Sequence, residues 1–162
     1  QSKHKLFCFF NLEYICKKTN MTVEEATNVL NKQSGLKGIS GENDFRDVEE
    51  LMEKGDEKAT LAFDMVKNTI VKFIAQYYVE LDGKVDAIVF TAGVGENDVS
   101  MRELICNELG NLGIKLDLVK NKVRGKETII SADDARVKLL LIPTNEELMI
   151  ARDTYSIVKG LK

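Results

Sequence analysis

Three short stretches of this chain combine residue types that can do chemistry. In Gly93-Val94-Gly95-Glu96-Asn97, two closely spaced glycines are followed by a carboxylate and an amide. Such glycines let backbone N–H groups approach an anion, and the polar pair behind them can reach a phosphate, a ribose or a hydrated metal. In Pro143-Thr144-Asn145-Glu146-Glu147-Leu148, Glu146 places a carboxylate at an expected helix start. One or two carboxylates are enough for Mg²⁺ when water and phosphate oxygens complete its octahedron. In Asp44-Phe45-Arg46-Asp47, a guanidinium can stack on a base while a carboxylate bonds a ribose.

Each stretch also has a plainer reading. Gly93-Val94-Gly95 can be a tight strand-to-helix connection, with Asn97 or Asp98 capping the helix. It is not a dinucleotide fingerprint, because Asp98 stands where the third glycine belongs, and no Gly-Lys-Ser/Thr follows. Thr144 and Glu147 have the spacing of a capping box, which leaves Glu146 at the second helical position without a structural duty. Asp44 can be a helix cap with Phe45 in the core.

The elements that must position these residues follow from periodicity. Leu6 to Cys16 and the segment opened by the Thr22/Glu25 capping box read as amphipathic helices. Gly35 and Gly38 are expected to end the second helix and begin a loop. Asn43 or Asp44 then caps a helix to about Lys54. From Glu57 to Leu81, apolar Leu61, Ala62, Met65, Val66, Ile70, Ile74, Tyr77, Tyr78 and Leu81 recur at helical spacing. They form either core or a subunit interface. The unbroken apolar run ending at Thr91 predicts a strand buried on both faces, followed by a helix from Asp98 to Leu112. Ile114 to Leu118, Thr128 to Ser131 and Val137 to Ile142 read as strands, and Thr144 opens a terminal helix. The predicted class is parallel α/β, with residues 1–82 mainly helical and 83–162 α/β. In such sheets ligands bind at the carboxyl ends of the strands, where the Gly93 turn and Thr144 both fall.

Composition narrows the partners. The 162 residues are 44% apolar and 30% charged, with a net charge of −3 and no basic stripe, which argues against nucleic acid. Apolar runs are of strand length, so no membrane span is expected, and Asn11 and Glu13 interrupt the N-terminal run that could suggest a leader. A cytoplasmic protein is the expectation. Cys8, Cys16 and Cys106 form no C-x-x-C pair and read as buried reduced thiols. The one histidine, His4, lies beside the chain start, so chemistry needing an internal histidine is not expected of this chain.

Together, Phe90-Thr91-Ala92-Gly93-Val94-Gly95-Glu96-Asn97, Pro143-Thr144-Asn145-Glu146-Glu147-Leu148, and Gly38-Ile39-Ser40-Gly41 leading to Asp44-Phe45-Arg46-Asp47 closely resemble the acetate kinase family. The likeness runs from about Val23 to Gly160 and covers the C-terminal portion of a full-length member. It implies an actin-like, ribonuclease H-like α/β domain of the sugar kinase–actin superfamily, with additional helices in its first half. It implies phosphate transfer between ATP and acetate with Mg²⁺, in a homodimer; a propionate kinase is the near alternative. On this resemblance Asp44, Phe45 and Arg46 contact the nucleoside, Gly93, Val94, Gly95, Glu96 and Asn97 line the ADP site, and Glu146 supports Mg²⁺. Two departures stand out. The stretch between Ser40 and Asp44 is one residue short. The family's Gly-Thr-Arg-Ser-Gly-Asp segment should precede Leu6, where this chain reads Gln1-Ser2-Lys3-His4-Lys5. The expectation is that this chain lacks that catalytic arginine, the catalytic histidine, the metal-holding aspartate and the acetate pocket, and is inactive alone. A non-catalytic nucleotide-binding or dimerisation module is the remaining reading.

Overall fold

The computed structural model describes residues 12–160. They fall into two compact units, one up to Val66 and one from Lys67. The first unit is helical. Helix α1 runs through residues 12–19, further than Cys16. Helix α2 (Val23–Lys32) opens on the expected capping box: the Thr22 hydroxyl accepts from the Glu25 N–H, and the Glu25 carboxylate accepts from the Thr22 N–H at 2.7 Å. The expected loop after it is instead a short helix, α3 (Gly35–Ser40). A Cβ at Gly38 would stand 3.0 Å from the Gln33 carbonyl oxygen, so Gly38 permits a close turn there rather than breaking the chain. Gly41, at φ +88°, ends α3 in the left-handed conformation. Helix α4 (Phe45–Glu53) and the first part of α5 (Glu57–Glu80) follow. Val48, Ala59, Ala62 and Phe63 are the buried centre of this unit.

The long helix does not bury the whole predicted stripe. Ala62 is buried, but Leu61, Met65, Tyr77 and Leu81 are exposed, and Phe63, outside the stripe, is buried instead. The reason is that α5 is apolar on more than one side, so spacing alone does not choose its inner face.

The second unit holds a three-stranded sheet in the order β1-β3-β2. Strands β1 (Ala87–Phe90) and β3 (Lys138–Leu141) are parallel, with Ala87 opposite Lys138 and Phe90 opposite Leu141. Strand β2 (Thr128–Ile129) is antiparallel to β3, so the sheet is mixed rather than wholly parallel. The predicted strand at Ile114–Leu118 reduces to two isolated bridges, Ile114 to Val137 and Leu116 to Ser131. The chain crosses from β1 to β3 through α6 (Ala92–Asn97), α7 (Val99–Glu108) and two 3₁₀ turns, Gly110–Leu112 and Lys120–Lys122. Asp98 caps α7 by accepting from Met101 N–H at 2.7 Å. Central β3 is buried through Leu139 and Leu141, and Val137, Ile130, Met101 and Ile105 are buried in the same unit. Edge strand β1 is not buried on both faces: Val89 is 47% exposed beside an apolar groove of about 310 Å³ that also touches Ile70, Ile74 and Ile105. A continuous apolar run signals a covered strand only when both of its neighbours are present.

Helix α8 (Glu146–Gly160) ends the described chain, with Leu148, Ile150, Tyr155 and Ile157 exposed. Of the cysteines, Cys106 is buried and Cys16 half-buried, both unpaired, while Cys8 and His4 lie outside the described residues. Burial pushes the Cys106 thiol up to about 12, which keeps it inert. Among the described residues no helix is long and apolar enough to cross a membrane.

Candidate functional site

Beyond β1 the chain turns at a residue other than glycine. Ala92 takes φ +58°, and the residues from Gly93 to Asn97 wind into α6. Neither Gly93 nor Gly95 has a positive φ, so neither is needed for a left-handed turn. Their missing side chains matter for space. A Cβ at Gly95 would stand 3.3 Å from the carbonyl carbon of Phe90, so Gly95 lets α6 sit directly on the end of β1. A Cβ at Gly93 would meet nothing within 4 Å. The chain's own packing therefore does not demand glycine at 93; an open face that a bound group can approach closely does fit it. Val94 is 39% exposed on the same turn. The Asn97 side-chain amide donates to the Gly93 carbonyl at 3.0 Å, folded back on its own helix.

A buried arginine underlies this turn. Arg102 is 1% exposed. Its guanidinium donates to the Gly95 carbonyl at 2.9 Å, to Asn121 Oδ1 at 2.8 Å, and to the carbonyls of Asn121 and Val123 at 2.8 Å each. Hydrogen bonds to a charged group contribute about 1.5–3 kcal/mol each when buried. Burial lowers the Arg102 pKa, and the nearby Asp98 charge opposes that shift. The sequence signal was present: Arg102, Ile105, Cys106 and Leu109 share one helical face, so a charge interrupts an apolar stripe. Asn121 carried no such signal; it stands among Lys120, Lys122, Arg124 and Lys126, yet it is 1% exposed.

The second stretch connects to the first. The Glu96 carboxylate accepts from the Thr144 N–H at 2.7 Å and from the Thr144 hydroxyl at 3.0 Å. These bonds, the backbone one foremost, hold the Glu96 carboxyl below its ordinary value. Thr144 is thus engaged with Glu96 and does not form the predicted capping box with Glu147. Asn145 caps α8 instead, its Oδ1 accepting from Leu148 N–H at 3.0 Å. The cap moves by one residue because a short amide side chain can serve as well as a hydroxyl, and Thr144 has a competing carboxylate partner. Glu146 becomes the first helical residue rather than the second, exposed at the mouth of α8. Since β1 and β3 are parallel neighbours, α6 and the start of α8 stand at the same edge of the sheet.

Asp44, Phe45 and Arg46 belong to the first unit. Asp44 caps α4 by accepting from Arg46 N–H at 2.9 Å, and its carboxylate also pairs with the Arg46 guanidinium at 3.1 and 2.6 Å. That pairing holds the Asp44 carboxyl down at about 2. The Arg46 side chain stays 86% exposed, with a face available for stacking. Phe45 stacks on buried Phe63, ring centroids 5.2 Å apart, so one of its ring faces is already engaged with the core.

Among the described residues no three His, Cys, Asp or Glu side chains converge as a metal cage. The donor set still fits Mg²⁺, which takes few protein ligands and keeps waters and phosphate oxygens. Glu146 is an exposed carboxylate at the first residue of α8.

The model of the acetokinase family matches residues 9–152, starting before Val23 and stopping short of Gly160. The chain is 52% identical over 149 residues to the acetate kinase of Treponema denticola, covering 91% of this chain and 37% of that protein. It is 53% identical over 150 residues to the acetate kinase of Halothermothrix orenii, covering 92% and 37%. Among solved structures it is similar to the acetate kinase of Porphyromonas gingivalis, with a TM-score of 0.82 and 38% identity over 91% of this chain and 37% of that one. A propionate kinase from Francisella tularensis gives a TM-score of 0.77 and 45% identity, covering 86% and 35%. With most of its length matched by the family model, its α/β fold shared with solved members, and little more than a third of the curated relatives' length spanned, this chain belongs to the acetokinase family.

Proposed function

We propose that this chain is the nucleotide and Mg²⁺ side of an acetate kinase, working in the transfer of phosphate between ATP and acetate. The observation that carries the reading is Gly93. It is a glycine that its own surroundings do not require, at the carboxyl end of β1, on a turn tied through Glu96 to Thr144 beyond parallel β3. That edge is where ligands of open α/β sheets bind. In this reading Gly93, Val94, Gly95 and Asn97 line the ADP, Asp44, Phe45 and Arg46 take the nucleoside, and Glu96 holds the turn in place. Glu146 would hold Mg²⁺, which when bound offsets the charge of the phosphates.

The fold is read as actin-like, in the sugar kinase–actin superfamily. The acetate-binding groups lie outside these residues, so the chain alone binds nucleotide and does not turn over. Exposed Phe73, Tyr77 and Val79 on α5 and the apolar side chains of α8 suit a homodimer. The setting is the cytoplasm.

Calorimetric titration of the chain with MgADP tests the reading. Weak binding, abolished by Gly93→Val or Asn97→Ala, is expected; no heat at millimolar nucleotide overturns it. An acetyl phosphate assay on the chain should find no product, and turnover would refute the division of labour. The similarity to a propionate kinase favours a second acceptor. Comparing acetate with propionate in a full-length enzyme carrying this chain separates the two.

A further inference from the structure

We propose that Arg102 is a positioning residue for the nucleotide site, clamping the Gly93–Asn97 turn from beneath through the Gly95 carbonyl. The inference rests on the nucleotide reading above. Helix α6 has only six residues, too few to hold its own orientation. What orients it is the segment of residues 121–125, and Arg102 is the bridge. One guanidinium nitrogen, Nη1, reaches Gly95 O, while Nε and Nη2 reach Asn121 Oδ1, Asn121 O and Val123 O. Asn121 in turn donates from Nδ2 to the Val99 carbonyl at 3.0 Å, at the first turn of α7. Gly125 N–H donates to the Glu96 carbonyl at 3.4 Å, a second tie from the same segment to the same turn.

Among the described residues no carboxylate accepts from the guanidinium, and its four acceptors are three backbone carbonyls and one amide oxygen. A well-packed apolar side chain would fill this space without the cost of burying a charge. What an apolar side chain would not supply is a planar fork that fixes three backbone carbonyls relative to one another. Lysine would not supply it either, being a point charge on a flexible stem. The fork holds Gly95 two residues from Gly93, so its effect on a ligand is made through the backbone.

The test uses the 162-residue chain, as parent, Arg102→Lys and the milder Asn121→Ala. Amide hydrogen exchange across residues 93–97 reads the clamp without any ligand, and MgADP titration reads its consequence. In both variants exchange across 93–97 should quicken by about ten- to a hundredfold, the loss expected for a hydrogen bond to a charged group, while β3 and α5 keep the parent's protection. MgADP affinity should fall by a similar factor in step with it. Unchanged exchange across 93–97 in folded Asn121→Ala and Arg102→Lys overturns the clamp. Quickened exchange with unchanged MgADP affinity overturns the positioning role and leaves a structural arginine. A parent that binds no MgADP while its variants lose protection refutes the nucleotide reading and this role with it, but not the clamp.

Discussion

The Glu96 carboxylate joins the two ends of the site: it accepts both the N–H and the hydroxyl of Thr144, 48 residues further along the chain. Glu96 leaves the end of α6 and Thr144 precedes α8, so one side chain sets the spacing between the glycine turn and the Glu146 carboxylate. Glu96, expected to line the ADP site, is engaged with Thr144 and ties α6 to the start of α8.

Glu96→Ala should therefore weaken MgADP binding about three- to tenfold, and Thr144→Val, which keeps the N–H bond, should weaken it less. The pH dependence has a definite sign. The folded carboxyl titrates below its ordinary value, so the tie is fully present above about pH 4.3 and is lost as pH falls through the lower folded value. An NMR titration of the Thr144 amide should show its shift moving only in that acid range. Movement centred above pH 5 would mean the bond is absent in solution.

Asn145 rather than Thr144 caps α8. Asn145→Ala should cost about 1 kcal/mol of helix stability, seen as lost helicity in circular dichroism because α8 has little packing to compensate. Glu147→Gln should leave helicity unchanged, since no capping box uses it. Equal losses in the two variants would restore the capping box.

The two glycines of the turn should separate folding from binding. Gly93→Ala has open space and helical backbone, so it should leave stability unchanged or raise it by up to about 1 kcal/mol, while weakening MgADP binding. Gly95→Ala forces its Cβ against Phe90 and should lower the melting temperature. Thermal unfolding and calorimetry on both variants check this; a destabilised Gly93→Ala would contradict it.

Ala92 carries the left-handed turn that a glycine usually takes. Ala92→Gly should stabilise the chain by about 1 kcal/mol, the strain of an L-residue at that φ, and Ala92→Val should destabilise it. Urea unfolding of both variants measures the difference.

Asp44 gives a second acid signature. Its carboxyl is held down at about 2, first by the Arg46 guanidinium, so its contribution is present above the ordinary value of about 3.9 and disappears as pH falls through about 2. Asp44→Asn should lower the melting temperature at pH 6, and the gap to the parent should close between pH 4 and pH 2. A gap that does not depend on pH would contradict both the ion pair and the cap, since the same carboxylate makes them.

Local rules that depend on neighbours in sequence determined much of this protein. The Thr22/Glu25 box, the Asp44 and Asp98 caps, the long α5 and the strand before Gly93 were legible, because a cap or a period needs only residues within a turn or two, whereas the expected glycine turn proved to be the short helix α6. The three motifs were also legible, and with them the family. What only the tertiary structure decided were partnerships between distant residues. Thr144 offers its donors equally to Glu147 or to Glu96, and only the parallel pairing of β1 with β3 brings Glu96 within 2.7 Å. Arg102 breaks an apolar stripe visibly, but its acceptors at residues 95, 121 and 123 are carbonyls, which every residue has and no sequence pattern marks. Hydrophobic spacing likewise showed that α5 and β1 are apolar, while which of their faces is covered depends on what else packs there.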